Sequence, residues 1–294
     1  MNAMADGLMG KPALRARLGF EPGLVLRMHG MRRSGNHAIA SWLQRNAPEG
    51  GALFLNNCRR GAHPLDAFAS AEVNDRKLVT DKAQADLAAY GAEVGDGGLL
   101  LISYEDHSPA QDRPRKPLSG HFDRGLIDHE VLVYRGFLNW AASLTKKLEP
   151  NEGYSVSRRM AVILRGVDLY ADLLGEVIEG GDAVTICYDR WVADAGYRAE
   201  CLAALGLDLR DNGLGQVTRY GGGSSFQKEA AESGELATDR RFVEMMQNPL
   251  YQAVLQIAAR DETLVARIQT LFPADAEILG RIARENTISG EVVL

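Results

Sequence analysis

Leu24-Val25-Leu26-Arg27-Met28-His29-Gly30-Met31-Arg32-Arg33-Ser34-Gly35-Asn36-His37 is the stretch that decides the fold of this 294-residue chain. The apolar run 24–28 predicts a buried strand ending near His29. Glycines then turn the backbone, and a helix begins near Asn36, where Ala38, Ile39, Trp42 and Leu43 recur at helical spacing. Four residues separate Gly30 from Gly35, the spacing of a phosphate-cradling loop. Asn36 stands where a nucleoside-triphosphate loop has its phosphate-gripping Lys, and His37 where it has a magnesium-binding Ser or Thr. The expectation is an anion cradle for a phosphate ester whose chemistry needs no metal. Free amides and the helix dipole favour an anion there, Arg32 and Arg33 add two fixed cations, and Ser34 adds a hydroxyl.

Outward from this loop, short apolar runs recur at 52–55, 99–103, 131–134 and 183–187. Helical patterns lie at 36–46, 137–147, 157–178, 191–205, 249–259 and 262–271. Continuous apolar strands alternating with longer amphipathic segments predict an α/β fold of three layers, a central parallel sheet with helices on both faces. Residues 21–294 read as a single domain and residues 1–20 as a poorly ordered lead-in. The hydrophobic share of 46% and charged share of 24% suit a globular protein, and the net charge of −6 argues against a nucleic-acid surface. Three cysteines (Cys58, Cys187, Cys201) lack metal-ligand spacing and read as thiols in a reducing, cytoplasmic setting. No signal peptide or membrane span is apparent.

In a parallel sheet, ligands gather beyond the carboxyl ends of the strands. The run 131–134 ends in Arg135, and Ser143 follows eight residues later inside the next helix, so both can converge on one anion. The run 99–103 leads to His107-Ser108-Pro109, an imidazole just past the sheet and a candidate base. Arg219 precedes Gly221-Gly222-Gly223, a composition suited to close backbone approach to a ligand and equally to a flexible linker.

Together these pieces resemble the sulfotransferases that use 3′-phosphoadenosine 5′-phosphosulfate (PAPS). Arg33 to Leu43 is similar to the family's 5′-phosphosulfate loop and following helix, and Val131–Arg135 with Ser143 to its 3′-phosphate motif. His107 stands where the family has its catalytic His. Ile186 to Trp191 resembles a Tyr-Glu-Asp-Leu segment, Leu202 to Leu207 the helix end that follows it, and Arg219 with its glycines the late loop that closes over the donor. The resemblance runs in order from about residue 23 to 228. It implies a P-loop kinase-like topology and transfer of a sulfuryl group from PAPS to a hydroxyl or amine, releasing 3′-phosphoadenosine 5′-phosphate (PAP) without metal.

On that resemblance, Arg32, Arg33, Ser34, Gly35, Asn36 and His37 cradle the phosphosulfate, while Arg135, Ser143, Arg219 and Gly221–Gly223 hold the 3′-phosphate side. His107 acts as base and Arg33 stabilises the leaving group. The chain departs from the pattern in having Arg33 where Lys is common and Asn36-His37 where Thr-Thr is common. His37 can therefore serve as a phosphate donor or face the acceptor. The expected partner is a small-molecule or carbohydrate acceptor lying near 56–66 and 108–125; neither nucleic acid nor a membrane is expected, and a homodimer is left open. Two rival readings are a small-molecule or nucleotide kinase with a degenerate loop, and a nucleotide-binding module that has lost catalysis.

Overall fold

A computed structural model of the chain describes residues 10–79, 86–216, 226 and 238–285. Seven strands form one sheet: β1 (Leu24–Gly30), β2 (Ala52–Asn56), β3 (Ser70–Val73), β4 (Arg76–Lys77), β5 (Leu99–Glu105), β6 (His129–Tyr134) and β7 (Val184–Cys187), in the order β4-β3-β2-β5-β1-β6-β7. β2, β5, β1, β6 and β7 run parallel, and these are the five apolar runs of the sequence. Taken in chain order, those five lie as 2-3-1-4-5. The antiparallel pair β3–β4 was not anticipated. Ser70-Ala71-Glu72-Val73 has too little apolar content to announce a strand, and its turn is made by Asn74 and Asp75, both at positive φ (50° and 63°).

Alternate residues of each central strand face opposite layers. Leu26, Met28, Leu99, Leu101, Val131 and Val133 pack against α2 (Asn36–Arg45) and against two helices, here α6 (Tyr188–Ala193) and α7 (Ala195–Ala204). Val25, Leu53, Leu55, Leu100 and Ile102 face α1 (Lys11–Leu18), α3 (Leu87–Gly91) and the loops after β2 and β5. Leu132 joins a third cluster under α4 (Phe137–Leu148) and α5 (Val156–Glu179). That cluster also holds the C-terminal helices α8 (Arg241–Met245), α9 (Pro249–Ala258), α10 (Glu262–Leu271) and α11 (Pro273–Glu285). Among the described residues no helix is long and apolar enough to cross a membrane.

Two expectations are corrected. Residues 10–20 are not a loose lead-in: α1 starts with a proline in its first turn, ends at Gly19 in the left-handed region, and buries Leu14, Leu18 and Phe20. A Cβ on Gly91 would lie 1.7 Å from the Leu18 carbonyl oxygen, so α3 admits α1 only because that position is glycine. The single helix expected over 191–205 is two, because the Asp194 carboxylate accepts the Tyr197 amide (3.0 Å) and restarts the helix as α7. α11 carried no expectation.

Both sheet edges are closed. β4 is two residues long and exposes Arg76 and Lys77. On β7 the Tyr197 hydroxyl accepts the Cys187 amide (3.0 Å) and donates to the Thr185 carbonyl (3.3 Å).

α4, which follows Arg135, has no cap from its own turn. Two distant carboxylates replace it: Asp189 accepts the Gly136 amide (2.6 Å) and Asp275, at the start of α11, accepts the Leu138 amide (3.0 Å). Burial, reinforced by the charge of Asp189, pushes the Asp275 carboxyl up to about 6 despite those backbone hydrogen bonds. A carboxyl whose pKa is raised on folding binds a proton in the folded chain that the unfolded chain has released. Its contribution to stability is therefore present below the usual 3.8 and is lost as pH rises through about 6. Asp275→Asn keeps an acceptor for Leu138 and removes the charge. Its melting temperature relative to the wild type should climb by a few degrees between pH 4 and about pH 7. A difference that stays flat across that range would show that Asp275 is ionised throughout.

Candidate functional site

The loop between β1 and α2 needs both of its glycines. Gly35 sits at φ 92°, and a Cβ there would lie 2.1 Å from the Tyr188 ring; a Cβ on Gly30 would lie 2.5 Å from Asn36 Oδ1. Arg33 also adopts a left-handed backbone, at φ 71°. The Ser34 amide donates to the Met31 carbonyl (3.1 Å), and Asn36 Nδ2 donates to the same carbonyl (3.2 Å), which closes the loop on itself. α2 starts without a side-chain cap. Ser34 is fully buried, yet its Oγ and Asn36 Oδ1 have no hydrogen-bond partner among the described residues. A buried hydroxyl with no partner beside an uncapped helix N-terminus suits an anion, to which Ser34 Oγ could donate.

Arginines converge on this loop. Arg135, 1% exposed at the end of β6, donates to the Thr238 carbonyl and to the Arg33 carbonyl (3.4 Å), lies 5.1 Å over the Tyr188 ring, and has Asp189 Oδ1 at 3.4 Å from its Nε. Tyr170 fixes the backbone there by donating to the Arg135 carbonyl (2.6 Å). Arg241, 6% exposed on α8, donates to Ser143 Oγ (2.9 Å). Arg241 thus joins Ser143 to the arginines, the two residues of the expected 3′-phosphate pair lying on β6 and α4.

Burial and then the positive charge of Arg135 hold the Arg33 guanidinium below its ordinary range, with Glu105 and Tyr188 opposing. Burial, Arg135 and Arg33 together press Arg241 down to about 10, with Tyr188 and Asp189 opposing. Three guanidiniums gathered in this way suit an anionic ligand. Arg241 was missed in the sequence, where the third arginine was assigned to Arg219. No strand end or glycine pair precedes Thr238–Arg241, and its role arises only because α8 packs across α4. Arg219 and Gly221–Gly223 lie outside the described residues.

The remaining candidates separate. Arg32 faces outward: its backbone N–H donates to Asp106 Oδ1 (2.9 Å) and its guanidinium pairs with the same carboxylate. That ion pair ties the loop after β5 to the phosphate loop, aided by the Asp106 amide donating to the Gly30 carbonyl (3.0 Å). The cation expected beside the nest is thus taken up in positioning. His107, half-buried, has Nδ1 at 2.9 Å from Gln111 Oε1, while Glu176 of α5 accepts from Ser108 and from the Ala110 amide (3.1 Å). The imidazole is held on one nitrogen, and Nε2 has no hydrogen-bond partner among the described residues. His37, in the first turn of α2, lies near enough to Glu72 of β3 to lower that carboxyl, although burial raises it on balance. His29 is fully buried, with Nε2 2.9 Å from Glu130 beside the buried Arg27–Asp112 pair (2.5 Å).

Inorganic sulfate at low millimolar concentration, against matched chloride, should raise the melting temperature of the wild type. Arg135→Ala with Arg241→Ala should abolish the shift, because charge-assisted hydrogen bonds contribute about 1.5–3 kcal/mol each. An undiminished shift in the double variant would move the anion site elsewhere.

Comparison of the chain with protein-family models, with curated proteins and with solved structures found no match in any of the three.

Proposed function

We propose that this protein is a sulfotransferase that moves a sulfuryl group from PAPS to a hydroxyl or amine of an acceptor and releases PAP. The observation that carries the reading is the group of buried Arg135, Arg241 and Ser143 with half-buried Arg33, set beside a loop of phosphate-cradle spacing that has Asn36 and His37 in place of Lys and Ser or Thr. The strand order 2-3-1-4-5, with the loop after the middle strand, agrees with what a P-loop kinase-like arrangement requires and supports the same reading.

In this mechanism the amides of the loop and Ser34 Oγ hold the 5′ side of the donor. Arg135, Arg241 and Ser143 hold the 3′-phosphate, which selects this donor over nucleotides lacking it. The acceptor oxygen attacks sulfur in line with the bridging oxygen, the new O–S bond forms as the bridging S–O bond breaks, and the acceptor proton passes to His107 Nε2. Arg33 meets the charge that builds on the departing phosphate; as a permanent cation it acts electrostatically and transfers no proton. Arg32 acts indirectly, by fixing Asp106 and so the segment that carries His107.

One feature favours the kinase reading: Glu105 and Asp106 end the strand beside the phosphate loop, where a carboxylate could reach a magnesium ion. A thermal-shift panel separates the two. PAP at about a hundred times its dissociation constant should add roughly 2.7 kcal/mol of stability in the presence of EDTA. Arg135→Ala should weaken PAP far more than adenosine 5′-phosphate. Stabilisation by ATP with magnesium but not by PAP would put the kinase first. His107→Ala should lower turnover by about 10²–10⁴-fold and leave PAP affinity unchanged; unchanged turnover would remove His107 as the base.

A further inference from the structure

We infer that the acceptor is an acidic oligosaccharide, gripped by unpaired cations on the two loops that leave β2 and β5. The inference rests on the sulfuryl-transfer reading and names its substrate class. The loops 57–69 and 106–128 start at the carboxyl ends of the two strands next to β1 on that side, and the second begins with the Asp106–His107 segment tied to the phosphate loop through Arg32. They are stitched together: the Gly61 amide donates to the Leu118 carbonyl (2.8 Å), and a Cβ on Gly120 would lie 2.9 Å from the Ala62 carbonyl carbon. Arg59 and Arg60 directly precede Gly61, and Leu118 follows two residues after Lys116, which a bridge pairs with Arg113 across a tight turn containing Arg115.

Arg59, Arg60, Arg113, Arg115 and Lys116 make no side-chain hydrogen bond or ion pair among the described residues, and Arg60 Nε is buried without a partner. What sets these five apart is their grouping on two joined loops. Asp and Glu outnumber Lys and Arg by 39 to 33, and other surface arginines such as Arg15, Arg17, Arg45 and Arg76 each reach a carboxylate. Like charges gathered where carboxylates are abundant repel one another unless an anion arrives from outside. Five cations spread over two loops suit a ligand with repeated charges better than a singly charged small molecule. An oligosaccharide bearing carboxylates or sulfates has such repeats and also the hydroxyls that the reaction requires. A nucleic acid would call for a broader basic face than these two loops offer in a chain of net charge −6.

The test uses the full chain and an oligogalacturonate octamer as probe, with a neutral malto-octaose and a single-stranded RNA of matched charge as controls. Two variants, Arg59→Gln/Arg60→Gln and Arg113→Gln/Arg115→Gln/Lys116→Gln, are measured beside the wild type, with the PAP-induced thermal shift as a check on folding and on the donor site. The octamer should bind the wild type, weaken with salt, and lose about tenfold or more in affinity in each variant, while the PAP shift persists. Equal binding of the neutral octamer, tighter binding of the RNA, or full affinity in both variants, with the PAP shift intact, would overturn this inference alone. Loss of the PAP shift in every protein would instead overturn the sulfuryl-transfer reading and this assignment with it.

Discussion

The gathering of buried Arg135 and Arg241 beside Arg33 is the constraint on which this part of the structure depends. Burying guanidiniums close together costs stability, and the fold offsets that cost with groups drawn from distant segments. Asp189 comes from α6, the Thr238 carbonyl from the approach to α8, and Tyr188 places its ring between Arg135 and Gly35.

The arrangement also couples the C-terminal helices to the phosphate loop. α8 supplies Arg241, and α11 supplies Asp275, which caps the helix following Arg135. That helix in turn donates from Trp140 Nε1 to the Arg32 carbonyl (3.0 Å), so α4 touches the loop backbone directly. A chain of rigid contacts thus runs from α11 through α4 to the phosphate loop. The site is assembled from both ends of the sequence, and its geometry depends on helices that carry no motif.

The strands and the turn between β1 and α2 were legible because their signals are local. Apolar runs mark β1, β2, β5, β6 and β7, and the backbone turn at Gly30 and Gly35 follows from the glycines themselves. Arg135 and Ser143 were legible from spacing, since a strand end and the following helix are fixed relative to one another. Arg241 and Asp275 were not, because their places depend on how α8 and α11 pack, and packing between remote helices leaves no period in the sequence. The partner of Arg32 was not legible for a related reason: two adjacent arginines look alike until Asp106, 74 residues away, pairs with one of them.

The closed edges of the sheet bear on how copies of this protein can meet. A strand edge with open amides and carbonyls invites a second chain to continue the sheet, which is the route to strand exchange and fibrils. Here the Tyr197 hydroxyl occupies one edge, and two charged residues on a very short strand end the other. Association by shared strands is therefore disfavoured at both ends, and any assembly of copies would have to use helix faces or loops. The same hydroxyl places a check on misfolding: until α7 docks, β7 stands open, so late docking of that helix would leave the chain exposed to self-pairing during folding.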